Sequence, residues 1–123
     1  MGSKAATWLP TGDTQLMLVL IPSHWPSRIS RSKSRTEKSI LPIATGAGLS
    51  AKLRKSGQVA VCFFGDGASN QGTFHEAINI GAAFDLPVVY VCENNLYAIG
   101  TSVPRSSAQT LLRKKADAYG IPG

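Results

Sequence analysis

Cysteine is scarce in this chain: only two occur in 123 residues, Cys62 and Cys92, and each lies inside an apolar run that predicts a buried strand. No spacing of cysteine and histidine matches a zinc site, and a secreted disulfide scaffold is not indicated. We interpret both cysteines as small apolar side chains of a core. The chain is therefore expected in a reducing compartment, the cytoplasm or, in a eukaryote, the mitochondrial matrix.

Long apolar runs are also lacking. The run at residues 16–21 is six residues long, far short of the about 20 that a membrane-spanning helix needs. Its surroundings have neither the basic n-region nor the cleavage pattern of a signal peptide. We expect at most one isolated strand there and no membrane partner.

Acidic residues are few near the N-terminus. Residues 1–40 carry six basic and two acidic side chains, whereas the rest of the chain carries seven and five. Residues 28–38 mix basic residues with serine and threonine, which is typical of solvated, disordered segments. A nucleic-acid or anionic-surface tail and an organelle presequence are the functional alternatives. Because no aromatic residue is interleaved with the basic ones, nucleic-acid binding is the less favoured reading.

The most informative stretch is a strand, a helix and a second strand. Residues 59–64 and 88–92 are short apolar runs rich in β-branched and aromatic residues, which is typical of buried parallel strands. Between them, residues 72–84 place apolar side chains at helical spacing. Together they predict a βαβ unit with a right-handed crossover, and hence an α/β fold.

Polar residues follow both predicted strands, Asp66 between two glycines after the first and Asn94-Asn95 after the second. Because the carboxyl ends of parallel strands meet at one edge of a sheet, we expect these side chains to lie close together. Carboxylate, amide and carbonyl oxygens are hard donors that suit magnesium or calcium and do not suit zinc. With N–H donors from the following turn and helix, the sequence predicts a divalent cation held between the protein and a diphosphate.

Other readings of these turns are open. Gly65-x-Gly67 begins like the dinucleotide fingerprint G-x-G-x-x-G, but Asn70 stands at its third glycine position. The Asp66 carboxylate would also repel a bare pyrophosphate, whereas a cation between them would make it an anchor. A Walker-type loop is excluded because no Gly-Lys-Ser/Thr follows a glycine run. Considered alone, the asparagine pair is compatible with an ordinary strand-end turn.

The segment Gly65-Asp66-Gly67, 26 intervening residues and Asn94-Asn95 resemble the thiamine diphosphate motif, which opens with GDG and closes with two asparagines. The flanking residues 64–72 and 93–101 resemble the alpha subunit of the thiamine diphosphate-dependent 2-oxo acid dehydrogenases, the group of the pyruvate, branched-chain and acetoin enzymes. The resemblance covers residues 41–123 and implies a partial three-layer α/β/α thiamine diphosphate-binding fold with parallel strands. Residues 1–40 are expected to be an anomalous, disordered basic segment foreign to the family.

The resemblance also implies a set of site residues. Asp66 and Asn95 would give side-chain oxygens to magnesium, and Tyr97 its backbone carbonyl. The whole cofactor-binding set is Gly65, Asp66, Gly67, Ala68, Asn95 and Tyr97. No catalytic residue is assigned, since His75 in the crossover helix is interpreted as a surface or interface histidine.

The partners implied by the resemblance are a beta subunit, which supplies the pyrimidine-binding module, a lipoyl-bearing acyltransferase and a 2-oxo acid substrate. The protein's task would be to hold the cofactor and neutralise its diphosphate. Because no pyrimidine-activating carboxylate is identified here, the isolated chain is expected not to turn over substrate. A non-catalytic fragment is the alternative.

Overall fold

The computed structural model describes residues 28–32 and 37–123, and strands and helices alternate in it as far as residue 93. In chain order the elements are β1 (Arg28–Ser32), α1 (Glu37–Leu53), β2 (Gln58–Gly65), a 3-10 turn (Asp66–Asn70), α2 (Gly72–Ala83), β3 (Val88–Glu93), β4 (Tyr97–Ala98), β5 (Thr101–Ser102), α3 (Val103–Ser106) and a second 3-10 segment (Leu112–Tyr119). Within these two ranges, no helix is long and apolar enough to cross a membrane. The predicted βαβ unit is β2, α2 and β3.

Strands β1, β2 and β3 form a parallel sheet in that order. Alternate side chains of β2 and β3 point to one face, where they join the core formed with α1 and α2. The strand residues on this face are Ala60, Cys62, Phe64, Val88, Tyr90 and Cys92. The two helices also contact each other, so both lie on the same side of the sheet.

The opposite face of the sheet is apolar as well. Val59, Val89 and Val91 are buried on it, and Val61 and Phe63 pack beside them. Among the described residues, no helix contributes to this cluster. The predicted α/β fold with parallel strands is confirmed, and the described residues supply two of its three layers.

The predictions for the N-terminal segment are wrong where the structure describes it. Residues 28–32, expected to be disordered, form β1 and pair with β2. Such pairing uses backbone N–H and C=O groups, so an edge strand tolerates a polar sequence. Helix α1 begins at Glu37, which places Pro42 inside the helix and the expected boundary at residue 40 within it. The run at residues 16–21 lies outside the described residues, as do residues 33–36.

A buried hydrogen-bond cluster fastens α1 and α2 to β3. The Thr45 hydroxyl donates to the Leu41 carbonyl at 2.9 Å and lies 2.5 Å from the Tyr90 hydroxyl. The Tyr90 hydroxyl also lies 3.3 Å from the Ala77 carbonyl of α2, and its single proton serves either that carbonyl or Thr45 Oγ1. Burial raises the pKa of Tyr90 to about 12, so the phenol stays protonated at physiological pH. These polar groups are buried but satisfied, and they tie three elements together.

We expect Tyr90→Phe to lower the free energy of unfolding by about 1–3 kcal/mol, because it removes the buried hydroxyl that lies against Thr45 and the Ala77 carbonyl. The matched control is Tyr97→Phe, whose ring is exposed and whose change should stay within about 0.5 kcal/mol. Urea denaturation followed by circular dichroism measures both. Equal losses in the two variants would contradict a stabilising role for the buried cluster.

Candidate functional site

Strands β2 and β3 end side by side. The parallel register places Gly65, the last residue of β2, opposite Glu93, the last residue of β3. The next residues begin two connections, the aspartate turn (Asp66–Asn70) and the asparagine hairpin (residues 94–102). Both predicted motifs therefore leave the sheet at the same carboxyl edge, where ligands bind in open parallel sheets.

The aspartate turn and the asparagine hairpin also pack against each other. A Cβ built on Gly67 would lie 2.5 Å from the Cβ of Ala98 in β4, which is closer than two carbon atoms can pack. Strand β4 is itself held by antiparallel pairing to β5, with Ala98 opposite Thr101. Glycine at residue 67 therefore lets the two connections approach, because any side chain there would collide with β4.

Asp66 begins the aspartate turn and its side chain is buried, with 4% of its surface exposed. None of the described residues places a cation within ion-pair distance of the Asp66 carboxylate. A buried charge is stable when it is paired with an opposite charge or bound to a metal ion. The Asp66 carboxylate is therefore suited to binding a cation at this edge of the sheet.

Both asparagines bend the chain with their own side chains. Asn94 Oδ1 accepts a hydrogen bond from the Leu96 N–H at 3.0 Å, and Asn95 Oδ1 accepts one from the Tyr97 N–H at 3.0 Å. Leu96, which follows both asparagines, adopts a left-handed φ of 70°. The strand-end turn that the sequence left open is thus present. Asn95 is exposed, however, and its amide oxygen has a second lone pair for another partner.

Asn94 leaves one polar atom unsatisfied. Its side chain is 6% exposed, and its Nδ2 is buried without a hydrogen-bond partner. A buried donor without an acceptor costs about 1–3 kcal/mol. An unpaired donor directly after β3 fits an edge of the sheet that accepts an oxygen-rich ligand.

A metal at this edge would be held by fewer than three ionisable side chains of the described residues. In residues 28–32 and 37–123, no three His, Cys, Asp or Glu side chains cluster as metal ligands. The other ligands would have to be amide, carbonyl and cofactor oxygens, a donor set that suits magnesium. This fits the predicted ligands, the side chains of Asp66 and Asn95 and the carbonyl of Tyr97, and their roles stay predictions.

Lys115 is a residue of the site region that the sequence did not reveal. From the second 3-10 segment, its Nζ donates to the Ser69 carbonyl and to Ser69 Oγ, both at 3.0 Å, and to Asn70 Oδ1 at 2.8 Å. Its ammonium also lies 5.8 Å from the centroid of the Phe74 ring. Burial lowers the pKa of Lys115. A lysine beside another lysine in an amphipathic segment predicts only a solvated charge, so the sequence held no signal for this contact.

Asn70 links the aspartate turn to a third part of the chain. Its Oδ1 also accepts a hydrogen bond from Ser107 Oγ at 3.0 Å, and its Nδ2 donates to the Ser106 carbonyl at 3.2 Å. With Lys115, these contacts join the turn to the end of α3 and to the second 3-10 segment. The aspartate turn is therefore hydrogen-bonded to residues 106, 107 and 115, which come later in the chain.

The charges of Asp66 and Lys115 both act on the pKa of the buried Cys92 thiol. Burial raises the pKa of Cys92 to about 12, with a smaller raising effect of Asp66 and a lowering effect of Lys115. Burial likewise raises the pKa of Cys62 to about 12. Both cysteines are free and buried, which agrees with their interpretation as core side chains.

His75 in α2 contacts Tyr119 of the second 3-10 segment. It is exposed, and its Nδ1 lies 2.5 Å from the hydroxyl of Tyr119. Its ring also meets the edge of Phe74, with the ring centroids 5.1 Å apart. This arrangement agrees with the interpretation of His75 as a surface residue.

A family model described as "Dehydrogenase E1 component" matches residues 27–123. This chain belongs to the dehydrogenase E1 component family. It is 49% identical over 81 residues to the alpha subunit of acetoin:2,6-dichlorophenolindophenol oxidoreductase from Bacillus subtilis, covering 66% of this chain and 24% of the relative. It is 46% identical over 81 residues to the pyruvate dehydrogenase E1 component subunit alpha of Rhizobium meliloti, covering 66% and 23%. It is 45% identical over 83 residues to the testis-specific mitochondrial form of that subunit from Rattus norvegicus, covering 68% and 21%.

This chain thus spans less than a quarter of the length of these three relatives. The resemblance to the E1 alpha subunits is confirmed. Its expected start near residue 41 is wrong, because the family match begins at residue 27 and includes β1 and the start of α1. The polar composition of residues 28–38 gave no hydrophobic pattern from which β1 and the start of α1 could be predicted.

We expect Gly67→Ala to lower the free energy of unfolding by about 1–3 kcal/mol, because the new methyl group overpacks the contact with Ala98. Hydrogen exchange should also become faster in β4 and β5. The matched control is Gly72→Ala, where a Cβ would meet no atom within 4 Å. An unchanged stability and exchange pattern in Gly67→Ala would contradict the packing of the two connections.

Proposed function

We propose that this chain is the diphosphate-binding part of the alpha subunit of a thiamine diphosphate-dependent 2-oxo acid dehydrogenase. The main support is the buried Asp66 carboxylate, which follows β2 beside the asparagine hairpin. Membership of the E1 family implies thiamine diphosphate as the cofactor. The oxygen donors at this edge support magnesium as the ion that joins the cofactor to the protein.

Each residue of the predicted set has a role in this proposal. Asp66 and Asn95 hold magnesium through side-chain oxygens, and Tyr97 through its carbonyl. The backbone of Gly65, Gly67 and Ala68 lies against the diphosphate, where small residues permit close approach. Helix α2 begins just after the turn, and the positive end of its dipole favours the same anion.

Thiamine diphosphate, when bound, supplies the carbon nucleophile that attacks a 2-oxo acid. The chain's own residues bind and orient the diphosphate and balance its charge. Activation of the pyrimidine is assigned to the beta subunit, and acyl transfer to a lipoyl-bearing acyltransferase. The pure 123-residue chain is therefore not expected to decarboxylate a 2-oxo acid by itself.

The names of the relatives support the class of substrate and partner. Two similar proteins are pyruvate dehydrogenase subunits and one acts on acetoin, and all three are alpha subunits. A 2-oxo acid such as pyruvate and a beta subunit are therefore the proposed substrate and partner. The rat relative is mitochondrial by name, and two free buried thiols suit a reducing compartment such as the cytoplasm or the mitochondrial matrix.

Nucleic-acid binding by the basic residues 28–38 is not favoured. Of these residues, Arg28–Ser32 pair with β2 as strand β1 and residues 37–38 lie in α1. Segments that pair in a sheet are less free to follow a phosphate backbone than a solvated tail.

Asp66→Asn tests the proposed function. The substitution keeps the shape of the side chain but removes the charge that magnesium requires. We expect thiamine diphosphate to bind the unmodified chain more tightly when magnesium is present. In Asp66→Asn this magnesium-dependent gain should fall by at least about tenfold, the loss typical of a charged contact. Isothermal titration calorimetry with and without magnesium measures the gain.

The matched control is Asp85→Asn. Asp85 is exposed after α2 and has a left-handed φ of 48°, a conformation that asparagine tolerates well. Its magnesium-dependent affinity should equal that of the unmodified chain, and circular dichroism should show both variants folded. If the unmodified chain and Asp66→Asn respond equally to magnesium, the proposed site is wrong.

A further inference from the structure

Lys115 makes all three of its side-chain hydrogen bonds to the aspartate turn. Its Nζ reaches the carbonyl and hydroxyl oxygens of Ser69 and the amide oxygen of Asn70, 45 and 46 residues earlier in the chain. An ammonium group has three donors, so these contacts use its full capacity. Lysine pays a large loss of side-chain entropy when it is fixed in this way, and charge-assisted bonds offset that loss.

Ser69 connects Lys115 to Asp66 through two hydrogen bonds. Ser69 Oγ, which receives one of them, itself donates to the backbone carbonyl of Asp66 at 2.7 Å. Ser69 is almost fully buried, with 1% of its surface exposed. The orientation of Ser69 therefore fixes the first residue of the turn, and Lys115 fixes the orientation of Ser69.

The position of Lys115 also differs from that of its neighbour in sequence. Lys115 is partly buried and lies over the Phe74 ring, whereas Lys114 is exposed. The two lysines carry the same charge and adjoin in the chain. They therefore form a natural comparison between a cation that holds the turn and one that only adds to the net charge.

We propose that Lys115 is a positioning residue for the diphosphate site, acting through Ser69 and Asn70 to hold the aspartate turn in the shape that directs Asp66 toward a metal ion. This inference rests on the proposed function. Lys115 does not itself touch the cofactor, and its effect is on the geometry of the turn. Without it, Asp66 and the backbone of residues 67–68 would sample several arrangements, of which only some bind magnesium.

The test compares Lys115→Met, Lys115→Arg and Lys114→Met in the full chain. Calorimetry gives the affinity for thiamine diphosphate in magnesium, and a magnesium titration at fixed cofactor gives the metal concentration at half-saturation. We expect Lys115→Met to weaken cofactor binding by about tenfold and to raise that metal concentration, since a charged contact of this kind is lost. Lys114→Met should match the unmodified chain, and Lys115→Arg should regain most of the affinity.

Hydrogen exchange of residues 66–70 without cofactor separates positioning from general stability. The turn should exchange faster in Lys115→Met while the amides of β2 and β3 keep their protection. If Lys115→Met binds like Lys114→Met, or if all three elements lose protection together, Lys115 is not a positioning residue. If the unmodified chain shows no magnesium-dependent binding, the proposed function fails first, and this inference fails with it.

Discussion

The parallel register between β2 and β3 is the constraint on which the site depends. It ends the two strands at the same level, with Gly65 opposite Glu93, so the residues that follow both strands leave the sheet together. Residues 66 and 94 are far apart in the chain, yet this pairing makes them neighbours. A slip of the register would move one connection along the sheet and turn its side chains to the other face. The apolar cores on both faces of β2 and β3 oppose such a slip.

Contacts of the aspartate turn with the asparagine hairpin and with Lys115 determine the shape of the carboxyl edge of the sheet. Gly67 permits the asparagine hairpin to pack on the aspartate turn. Lys115 donates a hydrogen bond to Ser69 Oγ, which in turn donates to the Asp66 carbonyl. The Asp66 carboxylate and the Lys115 ammonium both act on Cys92, the first raising and the second lowering the pKa of its thiol. Because the Asp66 carboxylate has no ion pair and Asn94 Nδ2 has no hydrogen-bond partner among the described residues, the edge favours an added cation and an oxygen-rich anion.

The sequence predicted β2, α2, β3 and the meeting of the two turns, because apolar runs and glycines mark these elements locally. It did not predict β1, whose polar residues pair through the backbone and leave no hydrophobic pattern. Nor did it predict the role of Lys115, because a contact across 46 residues depends on the packing of the second 3-10 segment. The start of α1 at Glu37 was also missed, because the basic and serine-rich composition of residues 28–38 predicted a disordered segment.

The most direct test of the shared edge uses manganese in place of magnesium, with thiamine diphosphate and an isotope-labelled chain. The bound paramagnetic ion should broaden the amide signals of residues 66–68 and 95–97 most strongly. Gln58, at the far end of β2 and more than about 20 Å away at about 3.3 Å per residue, should be much less affected. Broadening confined to one of the two turns, or equal at Gln58, would contradict the account that both turns grip one cation.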